Sequence, residues 1–259
     1  EEVVAALWRE EDGRATSKRP RPEYKRVWAS VTDEPIDVID AAFAEASSRD
    51  PLRQKTWVVA VDGDPHQLRY IRKVAKRYKV QVTIILDVIH VLEYLWKASY
   101  VFHKEGSHEA EQWVRERLLR VLQGEAGQVA GGLRRSATKR GVGAKARKAV
   151  DTCARYLSKY KQYLRYDVML SRGCPIGTGV AEGACRHLIR DRMELTGCRW
   201  GLEGAEAVLR LRSLISSGDF DEYWQFHREQ ELRRNHLERY EGKRLPELAK
   251  PRPGSRLRV

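Results

Sequence analysis

Two short runs of this chain are apolar at nearly every position, and most of the rest repeats on a helical period. Val58–Val61 and Val80–Leu86 are rich in β-branched residues and lack the polar alternation of a half-exposed strand. That pattern predicts buried parallel strands. Each run stops on an aspartate: WVVAVD ends on Asp62 and QVTIILD on Asp87. Between them Leu68, Ile71, Ala75 and Tyr78 form one apolar face, with Arg69, Arg72, Lys73, Lys76 and Arg77 opposite. Upstream, Val27–Val31 (VWASV) is a further strand candidate. Pro35 then opens a helix carrying Ile36, Ile39, Phe43 and Ala46 at i, i+3, i+7, i+10, and Pro51 ends it. A helical pattern follows Asp87 as far as Phe102. The order β-α-β-α-β-α predicts an α/β layer architecture with right-handed crossovers.

From about Val88 to Leu170 every periodic segment is helical. The clearest stripe runs through Ala146, Ala149, Val150, Cys153, Leu157, Tyr160 and Leu164. The glycine-dotted stretch Gly124–Gly143, with Arg134, Arg135, Lys139 and Arg140, reads as a basic connector. A second helical block covers Leu202–Ile215 and Asp219–Tyr240. Residues 1–8 read as the end of a helix, 9–26 as a charged loop and 242–259 as a disordered basic tail. The expected division is therefore 1–26, a charged segment; 27–90, the first part of a core; 91–170, an all-helical insertion; 171–241, a return to the core followed by helices; and 242–259, the tail.

Charge sharpens this picture. The 259 residues are 42% hydrophobic, enough for a real core, yet carry a net charge of +13. Such an excess selects polyanionic partners, nucleic acid first, because Lys and Arg neutralise its phosphates. The four cysteines (Cys153, Cys174, Cys185, Cys198) have no C-x-x-C spacing, which argues against a zinc ribbon or a disulfide framework. Reduced thiols in a cytosolic protein are the simplest expectation. No secretory signal is evident, and no apolar run approaches the ~20 residues of a bilayer span.

The candidate chemistry lies in carboxylates. Asp62 and Asp87 occupy C-terminal ends of predicted parallel strands, where such sheets carry their sites. A third acid, Glu182, follows the turn Gly177-Thr178-Gly179 in a segment crowded by Arg186, Arg190, Arg192 and Arg199. Carboxylates sharing a site repel one another, and a divalent cation relieves this. Each residue also has a plain structural use. Asp62 before Gly63 suits a turn, and Asp87 suits a helix N-cap. Glu182 and Arg186 suit a surface ion pair, His90 a helix histidine, and Trp200 a core position.

Three motifs together resemble a known family: W-V-V-A-V-D-G-D-x-H-Q-L, then I-L-D-V-I-H-V-L-E-Y-L-W-K-A, then P-I-G-T-G-V-A-E-G-A-C-R-H-L-I-R-D-R-M-x-L-T-G-x-R-W. From about Val27 to Tyr240 the chain resembles bacterial insertion-sequence DDE transposases of the ISKra type, related in layout to Mutator-like enzymes. The resemblance implies an α/β fold: a ribonuclease-H-like core interrupted by a large all-helical insertion. It implies Mg²⁺- or Mn²⁺-dependent DNA strand cleavage and strand transfer, with Asp62 and Glu182 as catalytic metal ligands. Asp87 and His90 match an accessory [C/D]-x-x-H element; in another registration Asp87 is the second acid. Arg186, Arg190, Arg199, Trp200, Arg72 and Lys76 become candidate DNA contacts. The implied partners are element-end and target DNA and further copies of the chain, with no membrane, in a bacterial cytoplasm at the nucleoid. The family's first aspartate has no counterpart: Asp12 lies in a polar loop, and Asp33 follows VWASV, which matches the third strand. The expectation is a truncated copy lacking the first two core strands. The alternative is a catalytically dead DNA-binding remnant.

Overall fold

The computed structural model describes residues 23–195 and 197–240. The expected helix end at 1–8, most of the charged loop (with Asp12) and the tail at 242–259 lie outside the described residues. The chain divides into two compact units: Thr32–Arg186, and Tyr24–Val31 together with the chain from His187 onward.

In the first unit, Pro35 occupies the first turn of α1 (Pro35–Arg49), where its missing N–H is no loss. Strand β1 (Trp57–Val61) leads to α2 (Pro65–Tyr78), whose N-cap is Asp64; its carboxylate accepts from His66 N (3.1 Å) and Gln67 N (3.4 Å). Lys79 closes α2 in the left-handed region (φ 52°) and leads into β2 (Val82–Leu86). The two strands pair in parallel, Trp57 opposite Val82 through Val61 opposite Leu86. Thereafter the unit is helical. It contains α3 (Val88–Ser99), α4 (His108–Leu122), α5 (Ala126–Lys139), α6 (Ala144–Tyr160), a 3₁₀ turn (Lys161–Tyr163), α7 (Tyr166–Ser171) and α8 (Gly179–Cys185). One core joins strands and insertion: Val74, Leu86, Val91, Leu95, Val121, Val150 and Leu157 are all buried within it.

The helical stretch after Asp87 and the two parallel strands agree with an α/β fold bearing a helical insertion. Two expectations fail. Val27–Val31 is not a strand, so the β-α-β-α-β-α order shortens to two strands among the described residues. Helix side chains take up its backbone groups. Val27 N donates to Ser217 Oγ (3.1 Å), Ser217 Oγ donates to Val27 O (3.2 Å), and Val31 N donates to Glu206 (2.9 Å). Nor is Gly124–Gly143 a connector. Most of it is α5, whose Val129, Ala130, Leu133 and Ala137 are buried at i, i+1, i+4, i+8; burial of that stripe outweighs the helix-weakening glycines Gly127, Gly131 and Gly132.

In the second unit a wide π-type turn (reaching Arg190) runs into α9 (Asp191–Met193), followed by α10 (Leu202–Ser217) and α11 (Phe220–Leu232). Glu206 organises it. This carboxylate is 8% exposed and accepts from Val31 N, Ser30 Oγ (3.0 Å) and Arg210 Nε (2.9 Å). The Val31 amide, then Arg210 and Ser30, hold its carboxyl down to about 2. Arg26 and Asp219 add an ion pair at 2.7 Å.

Among the described residues no helix is long and apolar enough to cross a membrane. All four cysteines are free thiols.

Candidate functional site

The strand register fixes where the acids begin. Val61 and Leu86 are partners, so Asp62 and Asp87 leave adjacent strand ends, spaced about 5 Å apart as neighbouring strands are. The ladder reaches one step further, through Asp87 N donating to Val61 O at 2.8 Å.

Beyond that point the two carboxylates differ. Asp87 is 3% exposed, and both its oxygens are engaged. Oδ1 accepts from Ile89 N (2.8 Å), making Asp87 the N-cap of α3, and Oδ2 accepts from the Thr178 hydroxyl. Val88 N donates to Ile176 O (3.0 Å) beside it. The Pro175–Gly179 turn is thereby fastened to the β2–α3 junction. A Cβ at Gly177 would stand 3.4 Å from Asp87 Oδ1, at ordinary contact distance, so the turn packs closely against the carboxylate. Asp62 is exposed. Among the described residues its Oδ1 accepts only a local bond, from Asp64 N (3.1 Å), so the turn-forming use holds for it as the N-cap use holds for Asp87. Gly63 follows at φ +98°, a conformation that side chains disfavour, with Leu86 Cδ2 3.3 Å from where its Cβ would be.

Glu182 stands in the first turn of α8 and is exposed, its N–H bonded to Thr178 O (2.9 Å). It lies about one helical turn, ~6 Å of rise, beyond the hydroxyl that Asp87 holds. The expected surface pair with Arg186 does not form: Glu182 has no ion-pair partner among the described residues.

Three tyrosines that the sequence marked only as core, or not at all, lock this end of the sheet. Tyr156 donates to Asp62 O (3.2 Å), Tyr160 to Gly63 O (2.9 Å) and Tyr166 to Leu86 O (2.8 Å). Burial, then the neighbouring phenols and the charges of Asp62 and Asp87, raises the Tyr156 pKa; burial, then Tyr156 and Asp87, raises that of Tyr166 well above the usual value. Both therefore remain protonated donors. Their signal in the sequence is the i, i+4 placement of Tyr156 and Tyr160 on an apolar stripe, because a buried phenol needs a partner.

Asp62 opens onto a cleft of about 410 Å³ lined also by His90, Tyr94, Arg155, Tyr156 and Lys159. His90 does not pair with Asp87. Its ring meets Tyr94 edge-on (5.3 Å) and Tyr156 (5.9 Å), with Nδ1 3.8 Å from Glu93. Arg155 and Lys159 bring positive charge to the Asp62 side and were not foreseen.

The acids as placed do not make a complete metal centre. Among the described residues no cluster of three or more His, Cys, Asp or Glu could hold a metal ion. Asp62 and Glu182 have oxygens free for a divalent cation, whereas the Asp87 carboxylate is engaged by Ile89 and Thr178.

The candidate DNA contacts fall in different units. Arg72, Lys76 and Arg186 are exposed in the first, where the Arg72 guanidinium lies 5.7 Å from the Tyr163 ring. Arg190, Arg199 and Trp200 belong to the second. There Arg190 approaches Glu194 (3.9 Å), and Trp200 is half-buried under Arg192 (5.5 Å). Comparison with protein-family models, with curated proteins and with solved structures finds no match for this chain.

Proposed function

We propose that this chain acts on DNA as a DDE-type transposase, with Asp62 and Glu182 as its exposed acids and a ribonuclease-H-like sheet as its core. The observation that carries the reading is the Asp87–Thr178 bond. It joins the second and third sequence motifs across 91 positions and fastens the turn that opens the Glu182 helix to the end of β2, the strand paired with the one that leads to Asp62. The parallel strand pair, the helical insertion between Asp87 and Glu182, and the net charge of +13 support the same reading. Asp87 is a positioning residue in this scheme. The described acids do not suffice for a divalent ion, so strand cleavage needs a third carboxylate beside Asp62 and Glu182.

That shortage favours a second reading, a DNA-binding protein without cleavage. The two separate in one experiment: incubation of the purified chain with Mg²⁺ and duplex DNA carrying the element's own ends. Nicking that Asp62→Asn abolishes supports the transposase. Salt-sensitive binding without nicking supports the second reading, and no binding at moderate salt refutes both.

A further inference from the structure

The helical insertion carries a second feature that the strand-end acids do not use. Helices α4 and α5 bound a cleft of about 390 Å³, and four cations line it: Arg117 and Arg120 from α4, Arg135 and Lys139 from α5. Glu116 is the only acid in its lining. Two of the arginines are fixed in place. The Arg117 guanidinium lies 4.0 Å from the Trp113 ring centroid and donates to Trp113 O (3.0 Å). Arg120 is held by Glu125 (2.7 Å) and Gln128 (3.0 Å). Arg135 and Lys139, four apart on the exposed side of α5, make no ion pair with a described residue.

The positive charge here is compensated only in part: Arg117 pairs with Glu116 (3.4 Å) and Arg120 with Glu125 (2.7 Å), while Arg135 and Lys139 make no ion pair with a described residue. Burial is the main cause that lowers the Arg117 pKa; Glu116 opposes the shift, and Arg140 and Arg120 add to it. The floor is aliphatic, with Val129 and Leu133 buried. Gly132 has nothing within 4 Å of where its Cβ would be, so the helix surface is open to a ligand there. The Trp113 face is covered by Arg117. The cleft therefore offers forked donors and no free aromatic face for a base. That chemistry suits phosphate oxygens, which arginine binds in a bidentate manner.

We infer that the α4–α5 cleft is a sequence-independent binding site for the sugar–phosphate backbone of nucleic acid, separate from the strand-end acids. It positions the polymer and reads no bases. The inference stands independently of the catalytic reading.

The test is binding of a short fluorescent DNA duplex to the whole chain, followed by anisotropy across a salt series. Arg135→Gln/Lys139→Gln alters two exposed side chains and is checked for an unchanged circular dichroism melt. Each phosphate contact contributes about 0.9 to the slope of log affinity against log salt, so the double variant should flatten that slope by about 1.8. Glu116→Gln, which removes the acid from the lining, should tighten binding. An unchanged slope in the double variant overturns the inference. So does polyglutamate that binds as tightly as the duplex and is weakened equally, since the site would then take acidic peptides. Loss of nicking in Asp62→Asn with an unchanged slope in the double variant sinks only the cleft. A flattened slope in a chain that never nicks DNA sinks only the catalytic reading.

Discussion

Replacing Tyr166 with phenylalanine removes one oxygen from the core of the first unit and nothing else. Tyr166 and Leu86 are both 0% exposed, and the phenol donates to the Leu86 carbonyl at 2.8 Å. Phenylalanine fills the same volume, so there is no cavity to consider. What remains is a buried carbonyl without its donor, which costs about 1–3 kcal/mol. For a unit of this size that lowers Tm by roughly 2–4 °C per kcal/mol. Tyr160→Phe, whose bond to Gly63 O is also buried, should cost nearly as much, and Tyr156→Phe less, because its bond is longer and partly solvated. Tyr163→Phe is the control, since its phenol donates to nothing among the described residues. Urea unfolding followed by circular dichroism measures all four, and an unchanged m-value certifies that only stability moved.

A second readout separates this bond from generic packing. Burial raises the Tyr166 pKa well above its usual value of about 10. A group whose folded pKa is raised contributes stability that is complete below the unfolded pKa. That stability fades as pH climbs from about 10 through the folded value. Wild-type stability should therefore fall on an alkaline limb that Tyr166→Phe makes shallower. A Tyr166→Phe loss below about 0.5 kcal/mol, the size of a surface substitution, would refute the argument that this phenol anchors the strand end.

Two further predictions concern the other anchors. Thr178→Val removes the donor to Asp87 Oδ2 while keeping the side-chain shape. It should destabilise by about 1–3 kcal/mol and speed tryptic cleavage at Arg172 or Arg186, whereas Thr178→Ser should restore most of the protection. Glu206→Gln keeps the shape of the second unit's anchor but removes its charge. Because the Glu206 carboxyl is held at about 2 against an ordinary 4.5, its contribution is present above about 4.5 and lost as pH falls toward 2. The variant should unfold at lower denaturant at neutral pH, by about 1–3 kcal/mol, and show a weaker decline across that acid window; parallel acid limbs would contradict the assignment.

Two of the three expected strands, the helical insertion and the strand-end places of Asp62 and Asp87 were legible because periodicity and strand-end aspartates are local signals. What escaped was decided by partners remote in sequence. VWASV has strand composition, but Ser217 and Glu206 satisfy its backbone from residues about 180 positions away. The glycines of α5 argue locally for a loop, and a buried stripe overrides them. Asp87 carries the same residue type and strand-end position as Asp62. Its N-cap bond to Ile89 N is local, whereas the docking of Thr178 on its second oxygen comes from 91 positions away; Asp62 stays the exposed acid.

The tyrosine bonds also bear on how the site is assembled. Three carbonyls at the strand ends, those of Asp62, Gly63 and Leu86, take their donors from α6 and α7, between 80 and 97 positions further along the chain. Until those helices dock, each carbonyl depends on water. The parallel pair then ends in frayed turns, because two short strands alone bury too little to hold a register. The insertion is therefore part of the machinery that fixes the acids. Its docking also buries the carbonyls that its phenols satisfy, so neither half of the arrangement is stable without the other. Cooperative unfolding of strands and insertion follows. Hydrogen exchange at the Asp87 amide, bonded to Val61 O at the strand end, should be protected to the same free energy as the α6 amides around Leu157.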